Sequence, residues 1–306
     1  MPSLVGSEMC IRDRGFVILV TGAAGKTGQA VVRALLANGQ TVRMLVRNET
    51  QLELMSSLYD TDIVVGDMTV ESVLSNVFDG IRGVYHICPN MHPDELSIGL
   101  AMISAAKNSG LNQFVFHSVL HPQVEAMPHH WQKMRVEEAL FTSGIPFTIL
   151  QPAAYMQNIL VEWQNIMQLG IIRVPYSPES MGSPVDLKDV ADVAALVLCE
   201  RDHIGAIYEL CGPDVLSYQE QATILSEAIG RSIYVEQISL DEWKIQANDV
   251  GLSTYSLESL LKMFLYYDLY GFWGGSHVLR NLLQRPPTSF MEFAINQNKK
   301  NQQDLL

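Results

Sequence analysis

The stretch Val17–Ala30, Val-Ile-Leu-Val-Thr-Gly-Ala-Ala-Gly-Lys-Thr-Gly-Gln-Ala, holds the residues from which the architecture follows. Phe16–Val20 is an unbroken apolar run, rich in β-branched residues and short, as a strand buried on both sheet faces should be. Gly22, Gly25 and Gly28 follow at three-residue spacing, and Ala30–Ala37 begins a helical pattern. Glycine lets the backbone turn tightly and approach a ligand, while free amides at a helix N-terminus favour negative charge. Strand, glycine turn and helix in that order make a pyrophosphate site. Gly22, Ala24, Gly25, Lys26, Thr27 and Gly28 are therefore the expected cofactor-binding turn. A second strand, Thr41–Val46, follows at the distance a βαβ unit requires.

Upstream, Leu4–Arg14 reads Leu-Val-Gly-Ser-Glu-Met-Cys-Ile-Arg-Asp-Arg and looks like a translated sequencing adapter. It lacks a signal-peptide layout, because charges interrupt its short apolar stretch. Residues 1–14 are expected to be a non-native leader. The rest is long enough for one large α/β domain and a smaller appendage. With 48% hydrophobic and 17% charged residues, it reads as a folded globular chain. No apolar run approaches the roughly eighteen residues of a membrane span. A net charge of −13 argues against direct contact with nucleic acid, whose phosphates want a basic face. Cys88, Cys199 and Cys211 show no Cys-x-x-Cys spacing and read as reduced thiols of a cytoplasmic protein.

Beyond Val46 the residues Arg47-Asn48-Glu49 stand where such a fold selects its cofactor. An acidic residue there would hold the ribose hydroxyls of NAD, and a basic one suits the extra phosphate of NADP. Arg47, with Lys26 in the glycine turn, favours NADP(H) over NAD(H) through charge-assisted bonds. Gln51–Tyr59 is a helix and Asp62–Val65 a third strand, ending in Gly66-Asp67-Met68. Asp67 is placed to accept from an adenine amino group with Met68 flanking the ring; equally, Asp67 could cap a helix over Val70–Phe78. Gly83–Ile87 is a fourth strand, from whose carboxyl end Cys88-Pro89-Asn90 turns away, on the ligand-binding edge of a parallel sheet.

Glu95–Asn108 is helical, and Gln113–His117 a fifth strand ending at Ser118. In the next helix, from about His129 to Ser143, His129, Lys133, Val136 and Leu140 share one face. A lysine on such a face either snorkels to water or serves a site. Phe147–Leu150 is a sixth strand, so the alternation is that of a doubly wound parallel sheet. Residues 15–155 are the expected dinucleotide-binding domain, with a strand returning near 206–211, and residues 156–306 are mostly a smaller domain. There, Tyr155–Leu169, Val185–Leu198, Tyr218–Ile229 and residues 241–270 read as helices, and Ile171–Val174 and Ile233–Ile238 as strands. Aromatic Leu265–Trp273 suits core or a substrate wall, and Asn296–Gln303 a frayed tail.

Several motifs together resemble the NmrA-like group of atypical short-chain dehydrogenases/reductases. They are Thr21–Gly28, Gly66-Asp67, His117-Ser118-Val119, His129-His130-Trp131-Gln132-Lys133 and Leu150–Asn158. Pro184-Val185-Asp186, Asp189-Val190-Ala191 and Arg285–Phe290 carry the likeness into the C-terminal half, so that it spans roughly 16–294. The resemblance implies a Rossmann fold whose small C-terminal domain closes a cleft, with Cys88, Pro89, Lys133 and Tyr155 joining the cofactor residues. It implies either an NAD(P)H-dependent reductase of small acceptors such as quinones, or a cofactor-binding redox sensor acting through a protein partner.

Classical dehydrogenases of this kind carry Tyr-x-x-x-Lys, and none of the 11 tyrosines has lysine four residues on. His129 and Lys133 stand at the matching positions. The loss disfavours alcohol dehydrogenation and sugar epimerisation, which need that proton relay. Hydride transfer to an electron-poor acceptor needs positioning and water exclusion, with protonation from a histidine or solvent. Lys133 is then expected to orient the nicotinamide ribose, Ser118 to bond an acceptor oxygen, and His129, titratable near neutrality, to protonate product. Packing at the helix start is an equal reading of His129. His117, His121, His129 and His130 lack a metal-ligand spacing, so no metal site is expected.

Overall fold

The computed structural model describes residues 17–89 and 91–304. The expected leader, Phe16 and Asn90 lie outside the described residues.

Strands and helices alternate through β1 (Val17–Val20), α1 (Lys26–Ala37), β2 (Thr41–Val46), α2 (Glu49–Leu58), β3 (Asp62–Val65) and α3 (Glu71–Val77). The pattern continues with β4 (Ile81–His86), α4 (Glu95–Ser109), β5 (Gln113–His117), α5 (Pro128–Ser143) and β6 (Phe147–Pro152). A 3₁₀ helix, Met156–Glu162, leads into α6 (Trp163–Leu169), β7 (Ile171–Val174), α7 (Leu187–Cys199) and β8 (Ile207–Leu210). After these come α8 (Tyr218–Ile229), β9 (Tyr234–Gln237), α9 (Leu240–Asp249), α10 (Thr254–Tyr270), α11 (His277–Leu283) and α12 (Phe290–Asp304).

The main sheet runs β3-β2-β1-β4-β5-β6-β8, all parallel. Alternate side chains of each strand feed opposite cores, as a pleated strand covered on both faces requires. Ile18 and Val20 pack with Val32 and Leu35 of α1, Met55 of α2 and Val193 of α7. Leu19 faces the other way, toward Leu74 of α3, Met102 of α4 and Val136 and Leu140 of α5. This is a Rossmann-like α/β fold. A second unit pairs β7 with β9 in parallel and packs Phe290 and Phe293 of α12 against Ala222 and Leu225 of α8. Among the described residues no helix is long and apolar enough to cross a membrane.

Several boundaries differ from the sequence expectation. Helix α1 starts at Lys26, four residues before Ala30, so Lys26, Thr27 and Gly28 form its first turn. Tyr155–Leu169 divides into a 3₁₀ and an α segment. The helix expected over 241–270 is broken: Gly251 adopts φ +76° and Ser253 caps α10 by accepting from Ser256 N. Asn296–Gln303 is helix rather than frayed tail, continuous with α12 and tied to α8 by Asn298 Nδ2 donating to Ala228 O at 3.1 Å.

Candidate functional site

The strand order reverses between β1 and β4, and ligands of open parallel sheets bind at such a point, beyond the carboxyl ends of the strands. The glycine turn lies there. Thr21 Oγ1 clips it to the end of β4, donating to Ile87 O at 3.0 Å and accepting from Ile87 N at 2.9 Å. Gly22 sits at φ +58°, a conformation that strains any side chain. At Gly28 a Cβ would fall 2.3 Å from Gly22 O and 2.7 Å from Ala23 Cα, so only glycine lets α1 press against the turn. At Gly25, by contrast, a Cβ would meet just the Gly22 oxygen, at 3.2 Å, and the residue is exposed. Gly25 is the N-cap of α1, no side chain caps that end, and its first turn holds no acidic residue. The leading amides of α1 are thus open to an anion, and the pyrophosphate of a dinucleotide fits there.

At the rim, Lys26 and Arg47 are both exposed, on the turn and at the end of β2. Asp67 Oδ1 accepts from Thr69 N at 2.9 Å and from Thr69 Oγ1 at 2.7 Å. These bonds, with the charge of Arg47 nearby, hold its carboxyl below the usual range. The N-cap of α3 is Val70 without side-chain capping, so Asp67 does not cap that helix. Met68 is 8% exposed and packs in the core with Leu45 and Leu74. Cys88 is buried, which pushes its thiol pKa up and leaves it an inert wall; Pro89 beside it is half-buried.

Across the crevice, Lys133 does not snorkel. Its ammonium donates to Glu95 and lies 3.5 Å from His117 O, with the Phe116 ring centroid 5.7 Å away. Helix packing makes this possible. A Cβ on Gly99 would lie 2.6 Å from a Val136 methyl, so α4 approaches α5 closely one turn from Glu95. Burial pulls the Lys133 pKa down, but Glu95, together with Cys88 and Glu137, more than offsets it, and the ammonium stays charged.

Two expected roles meet different surroundings. Ser118 is buried, and its hydroxyl donates to Glu137, whose carboxylate also accepts from Gln151 Nε2 at 3.0 and 2.9 Å. Its proton is thus engaged inside the fold, away from an acceptor oxygen. His129 does not titrate near neutrality: burial, with the Lys133 charge beside it, lowers its pKa to about 4. It packs edge-on to His130, and its Nδ1 has no partner among the described residues.

Tyr155 was expected among the cofactor residues, and its hydroxyl accepts from Thr27 Oγ1 at 3.5 Å, in the first turn of α1. It also lies 2.9 Å from His117 Nε2, while His117 Nδ1 lies 2.7 Å from the Tyr85 hydroxyl. Together with Tyr176, Tyr267, Phe272 and Met181, Tyr155 lines a cavity on the side of the second unit. Sequence reasoning gave no role to Glu95, Glu137, Tyr85 or His117. One signal existed: a lysine on a buried face demands a counter-charge. The local candidate was Glu137, at i+4, yet Glu95 from another helix takes the part. Among the described residues no three His, Cys, Asp or Glu side chains are grouped to hold a metal.

The model of the NmrA-like family matches residues 16–294. The chain belongs to the NmrA-like family. An NAD(P)H azoreductase of Xenophilus azovorans is 28% identical over 283 residues, covering 91% of this chain and 96% of that protein. The structure of an NADPH-dependent quinone oxidoreductase from Escherichia coli, complexed with NADPH, superposes with a TM-score of 0.80. It is 22% identical and covers 92% of this chain and 99% of that one. Nmra, a negative transcriptional regulator solved with NAD, superposes at 0.77 with 17% identity, covering 94% and 97%. At these identities the two structures establish a shared fold, and this NmrA-like chain keeps it across both units.

Proposed function

We propose that the chain is an NADPH-dependent reductase of small, electron-poor acceptors such as quinones. The observation that carries this reading is the continuity of two sites through Tyr155. Its hydroxyl meets the first turn of α1, and the same residue walls a small cavity lined by aromatic side chains. The relative named an NAD(P)H azoreductase supports a nicotinamide-dependent reductase.

The uncapped amides of α1, with Gly22, Gly25 and Gly28, would hold the pyrophosphate, and Lys26 and Arg47 the ribose phosphate particular to NADP. Asp67 would take the adenine, and Cys88, Pro89 and Tyr155 would border the nicotinamide. Bound there, the reduced nicotinamide supplies a hydride. Lys133, fixed by Glu95 and His117 O, sets a positive charge below the reacting region and keeps the end of β5 in place. Buried His129 would stay a neutral imidazole at neutral pH, without the acidic imidazolium proton a general acid needs.

A second reading is a non-catalytic NADP(H) sensor acting through a protein partner. It is favoured by the apolar side chains Leu269, Tyr270 and Trp273, exposed by 71%, 65% and 53% around the end of α10. The deciding experiment follows the absorbance of NADPH with a panel of quinones and azo dyes. Turnover supports the reductase. Tight NADPH binding with no turnover on any acceptor rejects it for the sensor.

A further inference from the structure

Three residues far apart in sequence form one hydrogen-bonded chain, Tyr85, His117 and Tyr155. His117 can carry its proton on either nitrogen, and burial chooses between them. With Nδ1 protonated, His117 would donate to Tyr85. The Tyr85 hydroxyl is fully buried and has no other partner among the described residues, so its own proton would lack an acceptor. With Nε2 protonated, Tyr85 donates to Nδ1 and Nε2–H donates to Tyr155, 2.9 Å away. Thr27 Oγ1 donates to the same oxygen. The Tyr155 oxygen then receives two hydrogen bonds, and its own proton, in a partly exposed residue, has no further acceptor among the described residues.

Resting on the reductase reading above, we infer that Tyr155 is the proton donor to the reduced acceptor and that His117 is the residue positioning it. The acceptor gains a hydride, and with it two electrons, from the reduced nicotinamide. The Tyr155 O–H bond breaks and an O–H bond forms on the acceptor oxygen, leaving a phenolate. The Nε2–H of His117 and the hydroxyl of Thr27 hold that phenolate, and water returns its proton when product leaves. His117 itself stays neutral throughout, because burial and the nearby ammonium of Lys133 both disfavour an imidazolium. The phenol missing from position 129 is thus supplied from the end of β6.

The test has one arm on the cofactor-free protein and one in turnover. Nitrogen NMR of labelled histidine should show His117 protonated at Nε2; protonation at Nδ1 overturns the inference. Tyr155→Phe should bind NADPH in calorimetry within about threefold of wild type, yet lose roughly a hundredfold or more in kcat. It should also lose the solvent isotope effect seen in wild type. His117→Gln, which keeps an N–H donor, should recover turnover that His117→Leu loses. If wild type reduces no acceptor, the reductase reading falls and the donor role with it. If turnover and its isotope effect survive Tyr155→Phe, the donor role alone is overturned.

Discussion

Glu95, in the first turn of α4, forms a buried ion pair with Lys133 of α5 beneath the carboxyl end of β5; their side chains are 1% and 15% exposed. Two helices of the same sheet face therefore share one charge pair, placed where the cofactor crevice begins. A pair this dry contributes little net stability, but leaving either partner alone is costly.

Glu95→Gln or Lys133→Met should each destabilise the fold by about 3–5 kcal/mol, since each leaves one group without its partner. The double variant should recover much of that loss. Urea denaturation of the four proteins gives the coupling, and additive losses would show that the two charges do not depend on each other. In turnover, Lys133→Met should lower kcat more than NADPH affinity. Equal kcat in wild type and variant would remove the lysine from the mechanism.

The glycines should separate into two kinds. Gly28→Ala drives a Cβ into the backbone of the turn and should lower Tm as well as cofactor affinity. Gly25→Val, at a φ of −76° that any residue adopts, puts its branched side chain over the open amides and asks the Gly22 carbonyl to give by only a few tenths of an ångström. It should keep Tm near wild type and lose dinucleotide binding in calorimetry. Retained binding would place the ligand elsewhere.

Under the proposed function, cofactor choice should turn on Arg47. Arg47→Ala should weaken NADPH roughly ten- to a hundredfold, the range for a charge-assisted hydrogen bond, and leave NADH nearly unchanged. Arg47→Asp should reverse the preference by offering a carboxylate to the free ribose hydroxyls. Dissociation constants must be compared at one ionic strength, because salt screens an exposed contact. Equal affinity of wild type for both cofactors would make Arg47 a solvated surface charge.

Acid should destabilise this protein early. His86, His117 and His130 are held at about 3 and His129 at about 4, in each case by burial first. Their folded-state values lie below the unfolded one, so below about pH 6.5 the unfolded chain binds more protons than the native one. Stability is full above that value and falls as pH drops toward the folded values. By pH 5.5 the loss is on the order of 1 kcal/mol per histidine. A urea midpoint unchanged between pH 7.5 and 5.5 would contradict the burial of these imidazoles.

The sheet was legible because its information is local. Apolar runs of four to six residues, glycine turns and helical stripes recur along the first half, and each strand was found within about two residues. The chemistry of the site was less so, because it is made of contacts between distant residues. Nothing near His117 in sequence announces Tyr85 and Tyr155 as its two partners. Nothing near Ser118 shows that Glu137 accepts its hydrogen bond. Lys133 was visible as an oddity, and its counter-charge was not, since only the close approach of α4 at Gly99 brings Glu95 to it. The break at Gly251 did carry a local signal, a glycine followed by a serine cap. The docked end of α12 carried almost none, because its outer turns are amide-rich and its tie to α8 runs through Asn298.

Strand β8 has a consequence for how this protein can be divided. It lies in the second half of the chain yet pairs along β6, with Ile149 opposite Ile207 and Pro152 opposite Leu210. A fragment stopped at Tyr155 would therefore end on an uncovered, strongly apolar sheet edge, Phe-Thr-Ile-Leu-Gln-Pro, with its amides and carbonyls open to another copy. Such a piece should self-associate rather than bind cofactor as a monomer. Any recombination that exchanges the unit holding β7 and β9 while keeping the seven-stranded sheet must splice around 187–210, so the two halves are inherited as interleaved threads rather than as beads on a string.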